Sequence, residues 1–391
     1  LRPERIGGET RGAIRGAPHP AGPGTMTILV TTDRRRGAEV QGERLTDGLG
    51  RLGWDVDLVA LSTDPASARV GARPISARHP DRLGRLDLDV LRGLRRHLGS
   101  RRPDVLLANG SSTLQYAVSA VAGRRGPSLA YVSIGEPSYW VRSSARRAVY
   151  RWLLGRLDLV IAVSEMTRRQ LVEEFAMPPA LVEVGHTGVP ASLLEVRPEP
   201  RSGPFRLLFL GSLSKEKDPQ AALQVLARLL PSTPARLRFL GTGPLVGEVE
   251  RQAGALGVAD AVELAGAVSD IRPHLAWADA LLLTSATEGL PGVVLEAGAA
   301  GVPTVAFDVG GTAETVVEGV TGRLMSPGDL EGLAEAARQL AQDEETRCRF
   351  GEEARRLVES RFLLEHSIER YHQLLLELRD RRPTAQGRGP G

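Results

Sequence analysis

Residues 281–326 read LLLTSATEGLPGVVLEAGAAGVPTVAFDVGGTAETVVEGVTGRLMS, and the order of residue types in this stretch sets the fold. Leu281–Leu283 is a short apolar run of the kind a strand buried on both faces requires. Thr284–Gly292 supplies polar and turn residues, and Pro291 suits the first position of a helix, where a missing N–H is no loss. Strand, turn and helix in that order make half of a βαβ unit. Glu288 then falls at the C-terminal edge of the strand, where open α/β sheets bind ligands. Glu296 follows about one turn into the helix, with seven residues between the two carboxylates. So placed, the acids could hold different hydroxyls of one polyhydroxylated ligand while N–H groups at the helix start hold its phosphate. For an isolated pair, an acidic first turn answering the helix dipole is the plainer account.

Outward from this stretch, apolar runs alternate with amphipathic segments along the whole chain, as parallel α/β sheets demand. The front half is predicted to hold strands at Thr27–Thr32, Trp54–Leu61, Asp104–Ala108, Ser128–Ile134 and Leu157–Val163. Amphipathic segments at Glu39–Arg51, Leu83–Leu98 and Ser164–Phe175 lie between them. A second strand series follows at Phe205–Leu210, Ala235–Leu240, Ala261–Leu264, Ala280–Thr284 and Pro303–Phe307. The expected fold is α/β, with two doubly wound parallel-sheet domains of the Rossmann type facing across a cleft. The first would span residues 26–190 and the second 205–362, joined by a Pro-rich polar linker over 191–204. Residues 363–381 read as a C-terminal helix, 1–25 as a disordered Gly/Pro/Arg-rich segment, and 382–391 as a flexible tail. Residues 1–25 lack the apolar core of a secretory signal, and Met26 directly precedes the first strand, which leaves a vector or annotation origin open for them.

At 391 residues the chain suits two domains with a core each. No apolar run approaches the roughly 20 residues that cross a bilayer. The single cysteine, Cys348, excludes a disulfide framework and a cysteine metal cluster, and a cytoplasmic location is expected. No cluster of His and acids stands at metal-ligand spacing, so no metal site is expected. The net charge of +3 is unevenly spread: residues 1–200 carry 29 Arg and 21 acids, whereas residues 201–391 carry 21 basic residues and 26 acids. A basic front half attracts anionic partners, such as a membrane surface or a phosphorylated acceptor. Nucleic acid is not expected, since no recognised binding motif accompanies the charge. The segment Tyr139–Arg156 sets Trp140, Tyr150 and Trp152 among five arginines. It reads either as a peripheral face for anionic lipid, on the inner side of a membrane, or as a helix packed on its sheet with a solvated basic side. Of the 50 basic residues only Lys215 and Lys217 are lysine, both within LLFLGSLSKEKDPQAAL, which points to an ammonium charge wanted there.

Three strand-end glycine turns open helices: Thr32–Glu39, Phe209–Ser212 and Phe239–Pro244. Such turns let a phosphate approach the backbone at a helix N-terminus. With these residues in view, the chain resembles the family-four retaining glycosyltransferases with the GT-B architecture. The resemblance rests on Gly211-Ser212-Leu213-Ser214-Lys215-Glu216-Lys217, Gly241-Thr242-Gly243-Pro244, the Glu288 and Glu296 pair in its Gly/Pro setting, and Gly310-Gly311-Thr-Ala-Glu314. Gly37-Ala38-Glu39, Val163-Ser164-Glu165 and Gly188-Val189 are weaker signals in the front half.

The resemblance implies a nucleotide-diphosphate sugar, UDP- or GDP-linked, held mainly by the second domain, and an unknown acceptor held mainly by the first. It implies that Glu296 holds the ribose hydroxyls, Glu288 faces the transferred sugar, and the backbone from Gly289 through Leu290 and Pro291 to Gly292 lies near sugar and phosphate. Gly211, Ser212 and Lys217 would contact the diphosphate, Gly37 would admit it, and Val268 would lie near the base. It further implies no cofactor, no divalent metal, and front-face attack in which the leaving phosphate takes the acceptor's proton. Ser212 stands where the family often has Arg, Asp218 where it has Gly, and Thr187-Gly188-Val189-Pro190 where it has Asn-Gly-Val-Asp. The N-terminal-domain histidine of many members has no counterpart at Ser133–Pro137, where Glu136 is an acceptor-side candidate instead. These departures motivate a second reading, a catalytically weak homologue serving as a nucleotide-sugar-binding or scaffolding partner. An epimerase on a related fold is a third, less supported by the motifs of the second half.

Overall fold

The computed structural model describes residues 22–63, 69–76, 86–123, 126–199 and 203–381. The expected flexible tail at 382–391 lies outside these residues, as do 1–21 of the expected N-terminal segment and 200–202 of the linker. Thirteen strands are described. They are β1 Thr25–Thr32, β2 Asp55–Ser62, β3 Arg73–Ser76, β4 Val105–Asn109, β5 Ser128–Ser133, β6 Leu159–Ala162 and β7 Val182–Val184, followed by β8 Phe205–Leu210, β9 Ala235–Leu240, β10 Val262–Gly266, β11 Ala280–Leu283, β12 Thr304–Phe307 and β13 Gly322–Met325. The first seven form one sheet in the order β3-β2-β1-β4-β5-β6-β7, and the last six a second in the order β10-β9-β8-β11-β12-β13. Every pairing within both sheets is parallel. The two-domain, doubly wound α/β architecture expected from the sequence is therefore the fold.

The central strands are buried on both faces. β4, β5, β6, β11 and β12 carry no exposed position, which is why they read as apolar runs rather than alternating ones. β3, β7 and β13 were not anticipated. They have only four, three and four residues and include Arg73, Glu183 and Arg323, so no apolar run marks them. In each sheet the winding reverses beside the first strand, between β1 and β4 and between β8 and β11. Loops leaving those strands diverge to opposite faces and open a crevice at the carboxyl ends.

The chain passes between the sheets at one crossing. Val189 N donates to Phe362 O at 3.0 Å, and Leu364 N donates back to Val189 O at 2.8 Å. The helix Leu364–Asp380 then lies against the helix Gly37–Arg51. A Cβ at Gly48 would fall 2.1 Å from Ile368, Gln41 donates to the Tyr371 hydroxyl at 3.3 Å, and Trp54 Nε1 donates to His372 Nδ1 at 2.9 Å. Ile368, Tyr371, Leu374, Leu375 and Leu378 are buried there. Each such apolar side chain contributes about 1.5–3 kcal/mol, so the terminal helix is firmly held beside the crossing.

Candidate active site

β11 ends at Leu283; Glu288 stands on the loop that follows it, and Glu296 lies within the helix Gly292–Ala299. Pro291 occupies the N-cap, one position earlier than expected, with Gly292 as the first helical residue. Glu288 is buried (7% exposed) and its Oε1 lies 2.6 Å from Lys217 Nζ. The loop is seated on Gly310-Gly311. Gly310 adopts a φ of +52°, and a Cβ there would lie 1.7 Å from the Glu288 carbonyl oxygen. Gly311 N donates to that same oxygen at 3.2 Å.

Lys217 is delivered by the turn after β8. Thr284 Oγ1 reaches back to the carbonyls of Lys217 and Asp218 at 3.2 and 2.8 Å, and Ala286 N donates to Glu216 O at 2.8 Å, so the two loops are tied together. Asp218 has a φ of +44°, the left-handed region that favours glycine, and its side chain accepts from Ala221 N at 3.1 Å to cap the helix Pro219–Leu229. Asparagine and aspartate tolerate this conformation best after glycine, which accounts for Asp218 at that position. Gly211 leaves β8 beside Lys217, and Ser212 is exposed at the same turn. A Cβ at Gly37, or at Gly292 across the cleft, would meet nothing within 4 Å. Leu290 is buried, and Val268, after β10, packs half-buried on the core.

Glu296 is approached from the opposite domain. Arg44, on the helix Gly37–Arg51, places Nη2 3.7 Å from Glu296 Oε1 and donates from Nη1 to the Gly188 carbonyl at 3.4 Å. Burial raises the Glu296 carboxyl above its ordinary value of 4.5, while Arg44 and, more weakly, Arg35 act against that rise. Arg44 was missed in the sequence. The available signal was its place seven residues after Gly37, two helical turns on and on the same face.

Two further bridges cross the cleft. Glu136, expected on the acceptor side, accepts from Gln170 Nε2 at 3.0 Å and from Thr287 Oγ1, of the opposing domain, at 2.8 Å. Glu314 accepts from the backbone N–H groups of Glu165 and Met166, both at 3.0 Å, and lies 3.5 Å from His186 Nε2. It thus caps the helix Glu165–Glu173 from across the cleft, beside the helix's own cap Ser164. Burial opposes ionisation of Glu314, but His186 beside it and the hydrogen bonds from the two N–H groups outweigh it and hold the carboxyl below its ordinary range.

On the outside of the first domain, the helix Ser144–Leu154 buries Tyr150 and Leu154. Its outward face shows Ala145, Ala148, Val149 and Trp152, flanked by exposed Arg146 and Arg151, with Arg156 stacked over the Trp152 ring. No helix among the described residues is long and apolar enough to cross a membrane, and they hold no group of three or more His, Cys, Asp or Glu placed to bind a metal.

Residues 35–193 match the family described as Glycosyltransferase Family 4, and residues 195–357 match Glycosyl transferases group 1. The chain belongs to this glycosyltransferase family. Like the family, the chain has the GT-B architecture. It is 31% identical over 273 residues to a glycogen synthase of Mycobacterium tuberculosis, covering 67% of this chain and 66% of that one. It is 29% identical over 301 residues to a GDP-mannose-dependent phosphatidylinositol monomannoside mannosyltransferase of Mycolicibacterium smegmatis, covering 72% and 78%. It spans as little as 24% of another curated relative. Among solved structures, HepE of Anabaena in complex with UDP-glucose superposes with a TM-score of 0.78 at 21% identity, covering 90% of this chain and all of that one. At that identity the likeness concerns the fold.

Proposed function

We propose that this protein is a retaining glycosyltransferase that moves a sugar from a UDP- or GDP-sugar to a hydroxyl acceptor, with the donor on residues 205–362 and the acceptor on residues 26–190. The observation that carries the reading is Lys217, whose ammonium is fixed 2.6 Å from Glu288 beside the strand-end turns of β8 and β11. Buried Ser285 Oγ, with no hydrogen-bond partner in the protein, adds a polar atom at the end of β11. The open space about Gly37 and Gly292 leaves room for a diphosphate between facing helix N-termini.

In the reaction the bond from the sugar's anomeric carbon to the β-phosphate oxygen breaks, and a bond to the acceptor oxygen forms on the same face. The acceptor's proton passes to the departing phosphate. Charge develops on that phosphate, and Lys217 with the helix N-terminus at Gly292 stabilises it without reorganising. Glu288 orients the sugar and Glu296 the ribose. Gly211 and Ser212 line the diphosphate, and Val268 the base. In this reading Lys217 supplies the neutralising charge and no divalent ion is needed, so turnover is expected to persist in EDTA. The names of relatives support both nucleotides: HepE was solved with UDP-glucose, and the mycobacterial mannosyltransferase is GDP-mannose-dependent.

The apolar face of Ala145, Ala148, Val149 and Trp152, edged by arginine, supports peripheral contact with an anionic membrane and hence a lipid-linked acceptor. Sedimentation with anionic vesicles at low salt, reduced in a Trp152→Ser variant, is the expected result. Failure to sediment would remove the membrane contact.

The decisive experiment is release of UDP or GDP by purified protein across a panel of nucleotide sugars. Nucleotide binding without release, whatever acceptor is offered, would favour a binding or scaffolding partner, the reading that uncharged Ser212 supports. No binding to any donor would overturn the site.

A further inference from the structure

One carboxylate joins the end of β5 to the loop that carries Glu288. Glu136 is the N-cap of the short helix Pro137–Trp140, so the chain leaving β5 fixes its backbone. Gln170 holds one carboxylate oxygen from the same domain at 3.0 Å. The other oxygen accepts from Thr287 across the cleft at 2.8 Å. Thr287 is only 6% exposed and directly precedes Glu288. A charge-assisted bond in such low-dielectric surroundings is stronger than a neutral one on the surface.

The same two loops also meet through their backbones. A Cβ at Gly289 would lie 1.8 Å from the Ile134 carbonyl oxygen, so glycine is required for the approach. Glu288 is thus bracketed, with Thr287 tied to Glu136 on one side and Gly289 against Ile134 on the other. Both anchors belong to the first domain and exist only while the cleft is closed. Lys217, which faces the Glu288 carboxylate, belongs to the second domain, so its contact does not depend on the first.

Resting on the reading of the cleft as a sugar-transfer site, we infer that Glu136 is a positioning residue that couples domain closure to the orientation of Glu288, acting through Thr287 and taking no part in holding the nucleotide. Its loss then affects the transfer step and leaves nucleotide affinity alone. A residue that bound the acceptor directly would instead raise an acceptor KM and be indifferent to Thr287.

The test uses the full chain. Binding of UDP and GDP is measured by calorimetry, and steady-state nucleotide release is measured from whichever of UDP-glucose and GDP-mannose the wild type turns over. Glu136→Ala and Thr287→Val are each expected to lower kcat about tenfold with the nucleotide Kd within twofold of wild type. The double variant is expected to be no worse than either single one, because both remove the same bond. Glu136→Gln, which keeps an acceptor oxygen for Thr287, and Thr287→Ser, which keeps the hydroxyl, are expected to restore most of kcat and so separate the bond from a folding defect. Unchanged kcat in Glu136→Ala, additive losses in the double variant, or an effect confined to the nucleotide Kd would overturn the role of Glu136 alone. A wild type that binds neither nucleotide would overturn the donor-site reading as well.

Discussion

Lys217 Nζ and Glu288 Oε1 lie 2.6 Å apart, with the lysine side chain 28% exposed and the glutamate 7%. Removing one partner leaves the other buried and uncompensated, which costs more than the pair itself contributes. Lys217→Ala and Glu288→Gln are each expected to lower turnover at least tenfold, about 1.4 kcal/mol of transition-state stabilisation. Lys217→Ala should also lower the melting temperature, and adding Glu288→Gln should recover part of that stability without recovering activity. Near-wild-type turnover in both single variants would remove the assignment.

Glu296 should make nucleotide binding pH-dependent. In its proposed role the carboxylate form accepts from the ribose hydroxyls, so affinity is expected to be full above its pKa and lost as pH falls through it. Burial moves that pKa above 4.5, and Arg44 restrains the rise. In Arg44→Gln only the weaker Arg35 restrains the rise, and the pH at which nucleotide affinity begins to fall should move upward. Superimposable affinity–pH curves for the two proteins would show that Arg44 does not govern this carboxylate.

Glu314 gives the opposite sign. Its pKa is depressed in the folded protein, so the charge stabilises above the ordinary value of 4.5 and loses that effect as pH falls through the depressed value. Glu314→Gln keeps an oxygen at the helix N-terminus but loses the charge, which is worth about 0.3–1 kcal/mol there. Thermal unfolding should show the wild type more stable at neutral pH and the two proteins converging in acid. A gap that stays constant as pH falls from neutral into acid would rule out the charge as its source.

Gly289→Ala places a methyl group where the Ile134 carbonyl now lies, at 1.8 Å. One of the two loops must withdraw, and the cleft opens. Small-angle scattering should show a larger radius of gyration, and turnover should fall at least tenfold while nucleotide affinity, which the proposed function assigns to the second domain, is kept. An unchanged radius with full activity would mean the loops can part without cost.

Most of the fold was legible because a parallel strand buried on both faces leaves a continuous apolar run, as at Leu281–Leu283 and Phe205–Leu210. The short edge strands β3, β7 and β13 left no such trace. Within the site, Lys217 and Glu288 stood out by rarity and local setting, and both lie in one domain on loops that follow adjacent strands. Asp218 could be flagged as unusual, but only its left-handed backbone and cap to Ala221 explain it.

By itself the sequence determined two doubly wound sheets, the acid pair with Glu288 on a strand-to-helix loop and Glu296 in the helix after it, and the lone lysine pair in the turn after β8. All of these follow from interactions within one βαβ unit or a few residues of chain. Tertiary structure alone decided that Arg44 meets Glu296, that Glu136 accepts from Thr287 151 positions away, and that Glu314 caps a helix 149 positions earlier. A carboxylate's partner across a cleft is set by how two separately built domains meet. That orientation depends on the crossing at Val189 and Phe362 and on the packing of the terminal helix, and leaves no periodicity or spacing in the sequence.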